Sequence, residues 1–255
     1  MSGRNFDGLS LRFKNNIYGT RKGQIRLDLL WHHLQEVLLP RLEAESGKLH
    51  VFDAGCGLAQ ISKRLGDRGY HLTLCDKSAE MLELAREEMS GHKACEFIHA
   101  SFQQLEAHYT DHFDLVLSHA VLEWLDTPAE AIQQLSRVCK PGAYLSLLFY
   151  NRDAYIFRNL MRGNWKKVES EEYAGDHGGL TPTDPVSPAD VLRWLDDAGM
   201  ECIDRIGLRT FFDYMPRDMQ QNRDYEDILR LEQTYSRISP YRDMARYIHI
   251  IARKR

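Results

Sequence analysis

The sequence predicts an α/β fold, a doubly wound, mostly parallel seven-stranded sheet with helices on both faces. Short apolar runs of strand length alternate with stretches whose apolar residues recur at intervals of three and four, the pattern of a parallel sheet covered on both sides. The first run, Leu49 to Phe52, stops at Asp53 and enters the turn Gly55-Cys56-Gly57. The second, Tyr70 to Cys75, ends about twenty residues later in Asp76. In a βαβ unit, such glycines let backbone approach a ligand closely, and a carboxylate ending the second strand can take both hydroxyls of a ribose.

A first helix is expected where Leu27, Leu30, Trp31, Leu34, Val37 and Leu38 recur at helical spacing, with Pro40 and Gly47 in its end region. Strands are expected at about 49–54 and 70–76, with a helix over about 59–67 between them, broken by Gly69. Ser78 is placed to cap the next helix, which runs to about Met89, because a serine oxygen accepts from the orphan N–H groups of a first turn. Glu96 to Ala100 is a short third strand and Phe113 to Ser118 a buried fourth. Thr127 and Pro128 open a helix carrying Ile132, Leu135 and Val138; Lys140-Pro141-Gly142 closes it, and Ala143 to Tyr150 is the fifth strand.

The period breaks over 151–186, where Gly163, Gly175, Gly178, Gly179, Pro182 and Pro185 stand among basic and aromatic residues. A connection of that length reads as a functional insertion. Ser187-Pro188 starts another helix, which Gly199 ends. A sixth strand near 201–210, a polar helix near 224–237 and a last strand from Arg246 to Arg253 complete the pattern. The expectation is one domain over 1–255, with an N-terminal helical segment 1–45 and the inserted basic segment at about 151–186.

With 255 residues, 43% of them apolar, the chain can fill a sizeable core. It has no run of about 18 apolar residues and no apolar leader near Met1, so no membrane is expected and the cytoplasm is the expected compartment. The cysteines, Cys56, Cys75, Cys95, Cys139 and Cys202, are scattered without a C-x-x-C pair, so neither a metal site nor a disulfide framework is expected. Cys75 and Cys139 read as small core residues. The net charge of −4 argues against nucleic acid, yet residues 1–30, 152–168 and 205–255 each carry +4 and the remainder −16. Such asymmetry points to an anionic partner, although three solvated surfaces would give the same tally.

The glycine turn discriminates among cofactors. A dinucleotide fingerprint runs G-x-G-x-x-G and seats a pyrophosphate. Here the spacing is Gly55-x-Gly57-x-Ala59, and Asp53, two residues before the first glycine, would repel a pyrophosphate. It suits a ligand with a cationic end, such as the ammonium and sulfonium of S-adenosylmethionine. No G-x-x-x-x-G-K-[ST] run occurs, which excludes a phosphate-cradling P-loop.

On these residues the chain resembles the class I S-adenosylmethionine-dependent methyltransferases, over about 49–150 by motif and along its length by order of elements. Asp53-Ala54-Gly55-Cys56-Gly57 matches the first motif and Asp76 the ribose carboxylate. Phe113-Asp114-Leu115-Val116 matches the fourth strand, and Leu135 through Leu148 the helix, turn and strand after it. The resemblance implies a Rossmann-like fold. Where many members place an acidic residue against the adenine amine, this chain has Ser101-Phe102-Gln103; Phe102 is then expected to stack on adenine beside Gln103, with backbone supplying the hydrogen bond.

A closer resemblance lies in Arg4-Asn5-Phe6, Asn16-Ile17-Tyr18-Gly19-Thr20, Lys22-Gly23-Gln24, His119-Ala120-Val121-Leu122-Glu123-Trp124, Phe149-Tyr150-Asn151 and Arg246-Tyr247-Ile248-His249. These blocks are similar to those of the bacterial tRNA 5-carboxymethoxyuridine methyltransferases. That implies methyl-ester formation on the carboxylate of 5-carboxymethoxyuridine at the wobble position, with the tRNA anticodon loop as partner. A carboxylate of pKa ~4 is already ionised at neutral pH and needs no general base. The absence of a Ser/His/Asp or Cys/His constellation is therefore expected, and catalysis would be mainly positioning.

The family places a contact to the methionine carboxylate at Arg26, and His119, ending the fourth strand, is expected to line the methyl-transfer pocket or touch the cofactor. Tyr18, Tyr150 and Asn151 are substrate-side candidates, and simple packing is their alternative. Arg209 and Tyr214 follow the sixth strand; with Tyr150, Arg209 is expected to position the acceptor carboxylate, whose geometry a planar guanidinium suits. Arg152, Arg158, Arg162, Trp165, Lys166 and Lys167 interleave basic and aromatic residues. Exposed bases stack on such aromatic faces at roughly 1–3 kcal/mol per base, and a partly buried lid over the cofactor is the alternative. Two other readings stay open: a methyltransferase acting on a quinone precursor or free carboxylic acid, which lack of RNA binding would favour, and a non-catalytic cofactor- or RNA-binding protein, which cofactor binding without turnover would favour.

Overall fold

A computed structural model describes residues 7–10, 14, 19–44, 48–171, 173, 182 and 184–255. Seven strands form one sheet: β1 (His50–Ala54), β2 (His71–Asp76), β3 (Cys95–His99), β4 (Phe113–His119), β5 (Cys139–Tyr150), β6 (Met200–Leu208) and β7 (Tyr247–Lys254). Their order is β3-β2-β1-β4-β5-β7-β6. Strands β1 to β5 pair in parallel, and β7 runs antiparallel between β5 and β6. The order reverses between β1 and β4, and ligands of doubly wound sheets bind beyond the carboxyl ends of the strands at such a switch point.

Period-two alternation assigns each strand residue to one of two cores. Val51, Leu115, Leu117, Leu148, Ile206 and Ile251 pack on one face; Phe52, Val116, Leu147, Ile250 and their neighbours pack on the other. Strands buried on both faces read as continuous apolar runs, which is why β1 and β4 were legible. The first face is covered by α1 (Arg21–His33), α2 (Leu39–Glu43), α3 (Gln60–Gly66) and α4 (Ala79–Glu88). The second is covered by α5 (Pro128–Val138), followed in the chain by α6 (Arg152–Met161), α7 (Trp165–Glu169) and α8 (Pro188–Asp197); of these, α5 and α8 supply Ile132, Leu135, Val191 and Leu195 to its core. Then come α9 (Arg217–Asn222) and α10 (Tyr225–Tyr235).

Ser78 caps α4 as expected, its Oγ accepting from the Met81 N–H at 3.2 Å. Other boundaries differ. Helix α1 begins at Arg21, because the Thr20 hydroxyl accepts from the Gly23 N–H. It passes through a π-helical turn, Leu34–Leu38, into α2. Pro40 therefore ends nothing; it lies in the first turn of α2, where a missing N–H costs least. Lys140-Pro141-Gly142 falls inside the span of β5, with Gly142 at φ +81°. The segment after β5 is largely helical in its first half, because Asn151 caps α6 by accepting from the Asp153 N–H. Among the described residues no helix is long and apolar enough to cross a membrane, and no cluster of His, Cys, Asp and Glu could hold a metal ion. Cys75 and Cys139 are fully buried in the core.

Candidate active site

The turn after β1 is built for close approach. Gly55 and Gly57 have φ of +82° and +53°, a region that glycine enters without steric cost. The N–H groups of Gly55 and Cys56 both donate to the Cys75 carbonyl, at 2.9 and 3.0 Å, which pins the turn to β2. A Cβ on Gly55 would stand 2.8 Å from Cγ2 of Val121, in the turn after β4. Gly55→Ala is therefore expected to cost about 2–4 kcal/mol, from backbone strain and overpacking together. A lowered thermal midpoint, with cofactor affinity lost in parallel, would register it.

One cavity opens beside this turn. Of the expected cofactor residues, Arg26, Asp53, Gly55, Cys56, Gly57, Asp76, Phe102 and His119 all line it. Gln103 does not; its side-chain oxygen accepts from the Ser101 hydroxyl at 2.9 Å, and Ser101 takes the lining position instead. Gln60, Lys77, Met81, Val121 and Trp124 also line it. The backbone strains here too, with Ala120 at φ +59° just past His119.

The polar groups of the cavity are held in place. Oδ2 of Asp76 accepts from the Gly57 N–H and Oδ1 from the Ser78 N–H, both at 2.9 Å. Asp53 accepts from the Ser62 hydroxyl at 2.5 Å. Burial pushes Asp53 up to about 7 against that hydrogen bond, and the charge of Asp76 adds to the rise. Asp76 is also raised, by burial first. Burial, then the Arg26 guanidinium, drives His119 down to about 3, so its ring is neutral. The side-chain oxygen of Gln60 is buried without a hydrogen-bond partner. These groups fit S-adenosylmethionine: carboxylates and an unsatisfied acceptor for its ammonium and ribose hydroxyls, a guanidinium for its carboxylate, and Phe102 for its base.

The raised Asp53 fixes a pH dependence. Its folded pKa lies above the unfolded one, so the native chain holds a proton that the unfolded chain has lost between about pH 4 and 7. Its contribution to stability is full below that window and is lost as pH rises through it. A cationic ligand favours the ionised form, so cofactor affinity is expected to climb toward pH 7 and level off above it. Melting curves and titrations across that range, with and without S-adenosylhomocysteine, test both halves.

A second polar cluster adjoins the first. Lys22 of α1, Arg158 of α6, Arg209 after β6 and Arg246 before β7 gather around a single carboxylate, Asp213. Each basic segment of the sequence supplies at least one of them. Arg209 is buried and pairs with Asp213; Nε of Arg246 stands 3.9 Å from the same carboxylate. Burial raises Asp213, but Arg209, Arg246 and Arg158 hold it below the usual range. Lys22 is lowered by desolvation and then by Arg209, Arg246 and Arg158, the mark of surplus positive charge. Nε of Arg158, Nε of Arg209 and the Tyr150 hydroxyl are buried without hydrogen-bond partners. The ring of Tyr247 joins the two sites, with the guanidinium carbons of Arg26 and Arg209 at 5.4 and 5.6 Å from its centroid.

The substrate-side expectations divide. Tyr150, Arg158 and Arg209 enter this cluster. Asn151 does not, for its side chain is fully buried and donates to the Asp243 and Ala245 carbonyls while capping α6. Arg152 is engaged with its own segment, donating to the Pro185 carbonyl at 2.9 Å beside Asp184. Tyr214 spends its hydroxyl on the Met244 carbonyl. Trp165 is 62% exposed, its indole N–H tied to the Leu160 carbonyl. Tyr18 lies outside the described residues. Lys22 and Arg246 were absent from the expected site, although the three basic segments held the signal.

A methyltransferase-domain family model matches residues 52–147. The tRNA 5-carboxymethoxyuridine methyltransferase of Escherichia coli is 40% identical over 259 residues, covering 100% of this chain and 97% of that protein. The malonyl-acyl-carrier-protein O-methyltransferase of Enterobacter lignolyticus is 30% identical over 139 residues, 54% of this chain and 52% of that one. Among solved structures, the magnesium protoporphyrin IX methyltransferase of Synechocystis with bound S-adenosylhomocysteine superposes with a TM-score of 0.60 at 16% identity, over 98% of this chain and 96% of that one. At that identity the likeness concerns the fold.

Proposed function

The chain belongs to the tRNA 5-carboxymethoxyuridine methyltransferase family and uses S-adenosylmethionine; from that premise we propose that it methylates the carboxylate of 5-carboxymethoxyuridine at the tRNA wobble position, binding the anticodon loop. The observation that carries this reading is the cationic cluster beside the cofactor cavity. Four basic side chains face one carboxylate, and buried donors on Tyr150, Arg158 and Arg209 lack acceptors. A second, ligand-borne carboxylate satisfies that arrangement in charge and in hydrogen bonds.

When bound, the cofactor supplies an electrophilic methyl group on a sulfonium. The work of the protein is to hold and orient the acceptor carboxylate toward it, so that positioning supplies the rate. Asp76 takes the ribose, Arg26 the methionine carboxylate, and Asp53 with Gln60 and His119 the cationic end. On the acceptor side, Arg158, Arg246 and the Tyr150 hydroxyl orient the carboxylate. Arg209, already paired with Asp213, anchors the cluster. No group need remove a proton, because the acceptor is ionised at neutral pH. Trp165, followed by Lys166 and Lys167, offers a stacking face for a base of the loop.

Nucleoside mass spectrometry tests the assignment. Carboxymethoxyuridine-bearing tRNA, incubated with the protein and S-adenosylmethionine, is expected to gain one methyl mass on that nucleoside, reversed by mild alkali. No gain, with cofactor binding confirmed separately, sinks the tRNA reading and turns attention to small carboxylic acids.

A further inference from the structure

Five polar side chains interrupt the apolar layer on one face of the sheet. His119 at the end of β4, Ser146 on β5, His249 on β7 and Asp204 on β6 lie across four adjacent strands, and His33 of α1 packs down among them. They form an unbroken chain. Nε2 of His119 is 2.8 Å from Oγ of Ser146, which is 2.8 Å from Nε2 of His249. Nδ1 of His249 is 2.7 Å from Nδ1 of His33, and Nε2 of His33 is 3.2 Å from Oδ2 of Asp204. His33, Ser146 and His249 have no exposed surface. Polar groups buried so completely are costly unless each finds a partner, and aliphatic side chains would pack there without that demand.

The chain has one consistent direction. Asp204 is an acceptor only: burial raises it, but the His33 hydrogen bond and the Arg237 guanidinium hold it at about 2. Burial lowers His33, His249 and His119, so each ring is neutral and has a single N–H. His33 must place that hydrogen on Nε2, toward Asp204, leaving Nδ1 bare. His249 must then donate from Nδ1, leaving its Nε2 bare. Ser146 has one hydrogen and must give it to that Nε2. Its oxygen can only accept from His119, whose hydrogen is therefore on Nε2. Reversing any link sets two lone pairs, or two hydrogens, against each other.

We propose that this Asp204–His33–His249–Ser146 relay is a positioning device that fixes the tautomer of His119, making Nδ1 a permanent hydrogen-bond acceptor in the cofactor cavity. The ligand group it selects is an N–H or ammonium donor of the cofactor. The opposite tautomer would turn an N–H toward that cation, beside the Arg26 guanidinium already lining the cavity. A partly exposed carboxylate on β6 thus governs a cavity residue on β4, with two strands between them.

Long-range proton–nitrogen correlation spectra of the full chain, labelled with ¹⁵N-histidine and free of cofactor, read this directly. The expected pattern is Nε2–H for His119 and His33 and Nδ1–H for His249. Ser146→Ala is expected to leave His119 in mixed tautomers and to weaken S-adenosylhomocysteine binding about fivefold to tenfold by calorimetry, the span of one hydrogen bond. Asp204→Ala, at a partly exposed position, removes the group that sets direction; His119 should again show both tautomers, and Asp204→Glu should restore one. An Nδ1–H His119 in the unaltered protein overturns the proposal, as does an unchanged His119 spectrum in folded Ser146→Ala or Asp204→Ala. These spectra need no turnover, so failure of the tRNA assignment would not alter the tautomer they report.

Discussion

Asp76→Ala is expected to weaken cofactor binding at least about a hundredfold while leaving a folded protein. The carboxylate does two things at once. Its two oxygens accept from the N–H groups of Gly57 and Ser78, so it holds the glycine turn and the start of α4 in register. The remaining lone pairs are the acceptors that a ribose diol needs. Hydrogen bonds to a charged acceptor are worth about 1.5–3 kcal/mol each, so losing two toward the ligand weakens binding by about two to four powers of ten. Asp76→Asn is a sharper variant. It keeps the volume but must point an amide N–H at one of the two backbone donors. Calorimetry with S-adenosylhomocysteine should give an affinity at least about a hundredfold weaker for both variants, and unchanged affinity would remove Asp76 from the site.

Arg246→Ala separates the two halves of the site. Its guanidinium lies 4.4 Å from the centroid of the Tyr150 ring and 3.9 Å from Asp213, and it does not line the cofactor cavity. Loss of one charge-assisted contact to the acceptor carboxylate is expected to lower the single-turnover rate on modified tRNA about a hundredfold. Cofactor affinity should stay within about twofold. A variant that loses both equally would mean that the cluster is a structural support of the cavity, and one that loses neither would place the acceptor elsewhere.

What was legible in the sequence was local. The acid, glycine turn and second acid fall within about twenty-five residues, and each is dictated by backbone chemistry at its own position. Asp53, Gly55, Cys56, Gly57 and Asp76, read that way, line one cavity, and Arg26, Phe102 and His119, expected from the family resemblance, line it with them. The apolar strands were legible because burial on both faces leaves little room for polar side chains. The acceptor side was not local. Lys22, Arg158, Arg209 and Arg246 come from segments far apart in the chain, and the basic surplus of each segment did not say which member turned inward. Asn151 looked like a ligand contact from its place after β5, and Arg152 from the run of basic and aromatic residues that it opens. Their side chains are instead consumed by a helix cap and by carbonyls of the facing turn, an outcome that long-range packing decides. The histidines were equally opaque: His33 and His249 sit 216 positions apart, yet their rings share a hydrogen bond.

Helix α1 contributes Lys22 to the cationic cluster, Arg26 to the cofactor cavity and His33 to the relay. Its first residue is fastened to the C-terminal end of α9, where the Arg21 guanidinium donates to the carbonyls of Gln220, Gln221 and Arg223. A rigid rod that touches three sites makes their free energies interdependent. Whatever seats the rod for one ligand has already met part of the ordering cost for the other, so cofactor and acceptor should bind with positive, reciprocal cooperativity. Cutting the fastening at Arg21 should erode that cooperativity before it erodes either affinity alone.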